Sequence, residues 1–270
     1  MIINIAYNKI IIIIYMSFNF KDGKMIASIN DKNGKSKDIL FIDTNNDNGY
    51  DKIILENDNK FLPIFDDSGR SIVYICGASG SGKSTLASEL IKNFNILFPE
   101  SNIYIFSRLN SDPAFDKLEK NGVIIRIPID NTLIDDPIDV INDFDEYSLV
   151  LFDDVDTIND KKILSALNNV KLQILEIGRH KNIYCIITSH LINGSDKNNN
   201  RTIMNEMSSL VIFPKGGGSV YQQKYYLKNH LGFNNKQIDK IINSKNTRWV
   251  YICKNFPQYV LTQQICYLIK

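Results

Sequence analysis

Cysteine is scarce in this 270-residue chain and is never spaced for chemistry. Cys76, Cys185, Cys253 and Cys266 lie singly in apolar runs, with no CxxC pair and no histidine cluster nearby, which argues against a zinc site and against a disulfide framework. A reducing compartment is the simpler expectation. Also lacking is an apolar run long enough to cross a bilayer. The opening MIINIAYNKIIIIIY is interrupted by Asn4, Asn8 and Lys9, so residues 1–15 read either as an added edge strand or as an extension upstream of a second methionine, Met16. No internal repeat is visible. Arginine is sparse as well: Arg70, Arg108, Arg126, Arg179, Arg201 and Arg248 are scattered, without a cluster.

What is present is a chain with 44% apolar and 10% aromatic residues, enough to bury a full core as one principal domain with an accessory segment. The net charge of +1 conceals a strong polarity. Residues 129–160 hold eleven Asp or Glu and no Lys or Arg, whereas residues 201–270 hold ten Lys or Arg against Glu206 and Asp239, a net +8. Such a distribution suits a cation site in one place and a polyanion partner in another, although a solvated surface explains the basic end equally well.

Residues 16–67 read as a small β-rich region of short strands with hairpin turns at Asn33-Gly34 and Asn48-Gly49. The stretch Asp43 to Glu56 has the look of a calcium loop but fails on spacing, with Asn48 where glycine is needed and Ile54 where glutamate is needed. From about residue 68 to 270 the pattern changes to apolar strands alternating with helical periodicity, which predicts an α/β domain with a mostly parallel sheet flanked by helices. Strands are expected at 71–76, 102–106, 123–127, 148–152, 183–188 and 210–213, with an antiparallel pair at 249–253 and 258–262 on the sheet edge. Ile163, Leu167, Val170, Ile174 and Ile177 mark a long amphipathic helix ended by Gly178. The tract Ser195 to Asn200 reads as a mobile loop.

The most specific motif is Gly77-Ala78-Ser79-Gly80-Ser81-Gly82-Lys83-Ser84, followed by Thr85. It matches GxxxxGK(S/T) between a predicted strand and a predicted helix, the context of a P-loop, also called Walker A. Glycines let backbone N–H groups face phosphates, and the helix start adds partial positive charge. Lys83 would reach the β- and γ-phosphates, Ser84 would ligate Mg²⁺, and Thr85 would meet the α-phosphate. ATP and Mg²⁺ are therefore the expected cofactors.

A second element, YSLVLFDDVD, places Asp153 and Asp154 at the C-terminal end of a parallel strand, where such sheets bind ligands. Asp153 is the candidate for Mg²⁺ and Asp154 for orienting or polarising an attacking water. Two adjacent buried carboxylates repel, and a cation would resolve that conflict. A third element, GRHKNIYCIITSH, sends Arg179, His180 and Lys181 out of the long helix and ends a strand in Thr188, Ser189 and His190. Ser189 or His190 could sense a γ-phosphate, and Arg179 could serve as a finger toward a neighbouring subunit. A cation at a helix C-terminus also complements the helix dipole without any such role.

Together, the GASGSGKST cradle, the strand ending in Asp153-Asp154, and GRH followed by an apolar strand with a polar tip resemble the FtsK-HerA superfamily of DNA-pumping ATPases. Within it they are most like the genome-packaging ATPases of large DNA viruses, poxvirus type included. The resemblance covers about residues 71–262. It implies a RecA-like sheet with an extra strand between the two nucleotide motifs, a homo-oligomeric ring, and ATP-driven translocation of double-stranded DNA into a capsid. It also implies capsid or virion partners, and a location in the virion and in host cytoplasmic viral factories rather than secretion. Two positions depart from the family pattern: Asp154 stands where many members have Glu, and His190 where many have Gln.

In that setting the basic third acquires a candidate purpose, because Lys215, Lys224 and Lys228, around the triple glycine 216–218, could grip DNA phosphates without reading bases. A solvated turn and helix explain any one of these lysines as well. Three rivals stand beside the motor: a kinase, a transporter-type ATPase and a non-hydrolysing assembly protein. A P-loop nucleoside or nucleotide kinase would share the cradle but would need an arginine-rich lid, and a transporter-type signature should precede the acidic motif, whereas Gly216-Gly217-Gly218-Ser219 follows it. A nucleotide-gated assembly protein that does not hydrolyse ATP would have no need of Lys83, Ser84, Asp153 and Asp154 together.

Overall fold

The computed structural model describes residues 4–7, 10–13, 16–44, 49–56, 58–65, 69–192, 197–216 and 218–269. At the amino terminus, β1 (Asn4–Tyr7) and β2 (Ile10–Ile13) pair antiparallel with each other and, among the described residues, with no other sheet. Next come β3 (Ser17–Asn19), β4 (Lys24–Asn30), β5 (Ser36–Asp43), β6 (Lys52–Ile54) and β7 (Lys60–Pro63). Four of these form an antiparallel sheet in the order β3-β5-β4-β7. The Asn33-Gly34 turn joins β4 to β5 as its sequence predicts, helped by Asp31, whose carboxylate accepts from the backbone N–H of Asn33 and Lys35.

The other expected hairpin does not form. Asn48 lies outside the described residues, and the strands on either side of it belong to different sheets: β5 pairs with β3 and β4, whereas β6 pairs with the carboxyl-terminal strand of the main sheet. An Asn-Gly dipeptide specifies a turn, but which strands then pair depends on where apolar surface can be covered. The expected boundary between residues 67 and 68 also lies outside the described residues.

The main sheet is built from β8 (Ile72–Cys76), β9 (Ile103–Ser107), β10 (Ile125–Arg126), β11 (Leu149–Asp153), β12 (Tyr184–Ser189), β13 (Ser209–Ile212), β14 (Val250–Cys253), β15 (Tyr259–Thr262) and β16 (Ile265–Leu268), with β6 at one edge. Its order is β10-β9-β11-β12-β8-β13-β14-β15-β16-β6, and the first six strands run parallel before the pairing turns antiparallel at β14. The 249–253 and 258–262 strands are thus an antiparallel pair as expected, but β16 and β6 displace them from the edge. Strand β12 lies between β8 and β11, so an extra strand separates the glycine-rich motif from the acidic one. This is the RecA-like arrangement that the FtsK-HerA resemblance implies.

Strands β8, β11 and β12 read IVYIC, LVLFD and YCIITS and are buried throughout, as parallel strands covered on both faces must be. Alternation splits them between two cores. Val73, Ile75, Leu151 and Ile186 meet the helix α1 (Lys83–Leu97) and the amino-terminal sheet, through Leu90, Phe94, Ile26 and Phe61. Phe65 of that region packs edge-on against Phe94 and Tyr184, both with ring centroids 5.5 Å away. The amino-terminal strands therefore share a core with the P-loop helix. Tyr74, Val150, Phe152 and Ile187 face the other layer. There lie α3 (Thr132–Asp135), α4 (Val140–Asp143), α5 (Lys161–Glu176), α6 (Lys197–Glu206), α7 (Val220–Asn229) and α8 (Asn235–Ile242), while the short α2 (Asp116–Lys120) places Leu118 in the first core.

Helix α5 matches the expected amphipathic span. Asp160 caps its start by accepting from Lys162 and Ile163 N–H, and Arg70 holds its end by donating to the carbonyls of Ile174 and Leu175 at 2.7 and 2.6 Å. The expected loop at 195–200 is corrected in part. Residues 195 and 196 lie outside the described residues, but α6 begins at Lys197, because Ile203 and Met204 bury themselves against the second core.

Candidate active site

The cradle leaves the C-terminal end of β8 and runs straight into α1. Gly82 stands at the helix cap with φ +106°, a conformation that L side chains avoid, and no side chain caps the helix. The first N–H groups of α1 are thereby left for an anionic ligand. Gly77 answers a different need: a Cβ there would come within 2.7 Å of Ser81 Oγ and 2.8 Å of the Phe213 ring, so glycine is what lets the loop close against β13. Ser81 is buried and its Oγ has no hydrogen-bond partner among the described residues.

Three parallel strands bring the other groups to the same edge. Lys83 is buried, and its Nζ lies 3.6 Å from Asp154 Oδ1 and 3.4 Å from His190 Nδ1. The ring is closed by His190 Nε2, 3.2 Å from Asp154 Oδ2. The imidazole thus bridges the lysine and the carboxylate, with one ring nitrogen toward each. Asp154 sits at φ +47° just past the strand, which turns its carboxylate back toward Lys83.

Asp153 is deeper, 3% exposed, and is held by hydroxyls: Thr188 Oγ1 donates to its Oδ1 at 2.9 Å and Ser107 Oγ to its Oδ2 at 3.3 Å. Thr188 Oγ1 in turn accepts from the Asp154 N–H at 2.9 Å, so one threonine fixes both aspartates. Burial, with the Asp154 charge added to it, pushes the Asp153 carboxyl up to about 6, against the two hydroxyl hydrogen bonds that pull it down.

A cavity of about 660 Å³ opens over this edge, lined by Ser79, Gly80 and Gly82 to Thr85 of the cradle and by Asp154. Its size suits a nucleotide. Among the described residues no three His, Cys, Asp or Glu side chains cluster into a metal cage. The Ser84 hydroxyl and the Asp154 carboxylate line the same cavity, with Asp153 adjacent to Asp154 in the chain, and such an all-oxygen set fits Mg²⁺, which takes few protein ligands and completes its shell with water and phosphate. Asp153, buried beside the Asp154 charge, is the group whose charge such an ion would compensate.

Not every expected residue joins this group. Ser189 is buried, with its Oγ 2.7 Å from Asp156 Oδ2 and 3.0 Å from the Leu191 carbonyl, so it is committed away from Lys83. Arg179 lies in a 3₁₀ turn, Gly178–Lys181, before β12 begins. That is the opposite edge of the sheet from His190, about 20 Å away along a six-residue strand, so within one chain it cannot touch the cradle. Lys215 is exposed on a loop whose neighbouring Gly216 abuts Ser81, while Gly217 lies outside the described residues. Lys224 and Lys228 project from α7, and Lys224 already pairs with Asp239 at 2.8 Å. Thr188, Ser107 and Arg248, which lines the cavity from β14's approach, were not singled out by sequence. The first has a signal in the polar strand tip; the other two depend on strand order.

No protein-family model matches the chain. Over 240 residues it is 40% identical to the uncharacterized protein V3 of Sputnik virophage, an alignment that spans 89% of this chain and 93% of the relative. The chain belongs to the V3 family. Among solved structures this V3-family chain is similar to the DNA-packaging ATPase B204 of Sulfolobus turreted icosahedral virus, at 14% identity over 74% of this chain and 98% of that one, with a TM-score of 0.48. It is also similar to the pCW3 conjugation coupling protein TcpA, at 13% identity, 89% and 77% coverage and a TM-score of 0.49.

Proposed function

We propose that the chain is an ATP-hydrolysing motor of the FtsK-HerA type that moves double-stranded DNA into a viral capsid. The observation that carries the hydrolytic part is the convergence of Lys83, Asp154 and His190 on one side of the cradle, within 3.2 to 3.6 Å of one another. A binding-only cradle has no use for a carboxylate held by a histidine beside the phosphate lysine. A virophage relative agrees with a viral role.

In this reading the backbone amides at the start of α1 and the Lys83 ammonium hold the β- and γ-phosphates. Ser84 and Asp153 would hold Mg²⁺, which when bound neutralises charge on the phosphates. Lys83 then turns from its resting contacts toward the phosphates, releasing Asp154 to accept a proton from, or orient, the attacking water. Thr188 keeps both aspartates in place, and His190, in contact with Asp154, senses whether the terminal phosphate is present. Arg179, at the far edge, acts on the site of an adjacent copy in a ring. Lys215, Lys224 and Lys228 contact DNA phosphates, Lys224 by exchanging Asp239 for them.

The test is the ATPase rate of the purified chain with and without duplex DNA, together with its mass in solution. DNA-stimulated hydrolysis by a multimer is expected; phosphoryl transfer to a nucleoside by a monomer or dimer would replace the motor by a kinase.

A further inference from the structure

Arg248 was one of six scattered arginines in the sequence, yet the sheet carries it to the cradle. Val250 on β14 pairs with Ile212 on β13, and Ile212 pairs with Cys76, the residue before the glycine-rich loop. Residues just before Val250 therefore stand at the same edge as the loop. The backbone there is fixed: the Arg248 N–H donates to Gln263 Oε1 at 2.9 Å, Thr247 Oγ1 donates to the Trp249 carbonyl, and the Trp249 side chain is buried. The Arg248 side chain is exposed, and among the described residues its guanidinium has neither a hydrogen bond nor an ion pair. By contrast, Arg126 forks onto Glu119, and Arg70 onto the end of α5.

Position along the cradle narrows the role. Arg248 lines the main cavity and also a small adjoining cleft that it shares with Gly82, Thr85 and Glu89, and that Lys83, Ser84 and Asp154 do not line. Glu89 shares both spaces without pairing to it. A free, planar, five-donor cation on the Thr85 side is placed for the end of a nucleotide that joins the nucleoside, not for the terminal phosphate held beside Lys83.

We propose that Arg248 is a nucleotide-binding residue that grips the α-phosphate from the tip of β14. This rests on the nucleotide-cradle reading above. Because ATP and ADP share that phosphate, the two should depend on Arg248 alike.

Calorimetric titration of ATP and ADP, each with Mg²⁺, into the full chain and into Arg248→Ala and Arg248→Lys tests it. Arg248→Ala is expected to weaken both nucleotides by a similar factor, about tenfold or more, and Arg248→Lys to recover part of the loss. Unchanged affinities, or a loss confined to ATP, would overturn the assignment, the latter by moving the guanidinium to the terminal phosphate. So would a fall in ligand-free melting temperature in Arg248→Ala that tracks the lost affinity, since that would make the residue structural. Wild-type protein that binds neither nucleotide would reject the cradle itself, and this inference with it.

Discussion

Replacing Asp153 by asparagine should stabilise the nucleotide-free protein at neutral pH while weakening its use of Mg²⁺. In the fold the Asp153 carboxyl is 3% exposed and titrates at about 6, against 3.8 for an ordinary aspartate. A folded-state value above the unfolded one means that the group favours folding fully below pH 3.8 and loses that contribution as pH rises through about 6. A difference of about two units corresponds to roughly 3 kcal/mol, a sizeable part of the net stability of most domains. Asparagine keeps the shape: its carbonyl can accept from Thr188, and its amide can donate to Ser107 Oγ. The assay is denaturant unfolding of both proteins between pH 4 and pH 8, with EDTA and no nucleotide. The advantage of Asp153→Asn should be near zero at pH 4 and approach roughly 3 kcal/mol at pH 7. A difference independent of pH, or a destabilised variant at pH 7, would refute the view that burial of the Asp153 charge costs stability at neutral pH.

Lys83→Ala should abolish measurable ATP binding in a filter or calorimetric assay, and hydrolysis at the wild-type rate would contradict the cradle. Gly77→Ala must push Ser81 Oγ or the Phe213 ring aside, so unfolding should show a loss of about 1–3 kcal/mol, with weakened nucleotide binding in proportion. Arg179→Ala should leave nucleotide affinity intact and lower turnover by roughly a thousandfold, but only under conditions where rings assemble; normal turnover in assembled protein would remove the finger.

The local elements were readable in advance for a plain reason. Parallel strands buried on both faces need continuous apolar runs, and β8, β11 and β12 are such runs, each within a residue of its expected bounds. Helix α5 announced itself by its spacing, and the cradle by glycines that no other residue type can replace. Turn chemistry was read less well. Asn33-Gly34 made its hairpin, whereas the strands flanking Asn48-Gly49 went to two different sheets, a choice made by distant partners that offered β6 a place beside β16.

The sequence by itself determined that a glycine-rich loop of P-loop pattern, a strand ending in paired aspartates and a polar-tipped strand all exist, since each is specified by residues adjacent in the chain. Only the tertiary structure decided which of them meet. Inserting β12 between β8 and β11 is what sets Thr188 across both aspartates and His190 beside Lys83. The turn to antiparallel pairing at β14 is what returns Arg248 to the cradle, and the direction of β12 is what sends Arg179 to the far edge. Strand order is settled by covering apolar faces over long separations in the chain, and no short motif encodes that outcome.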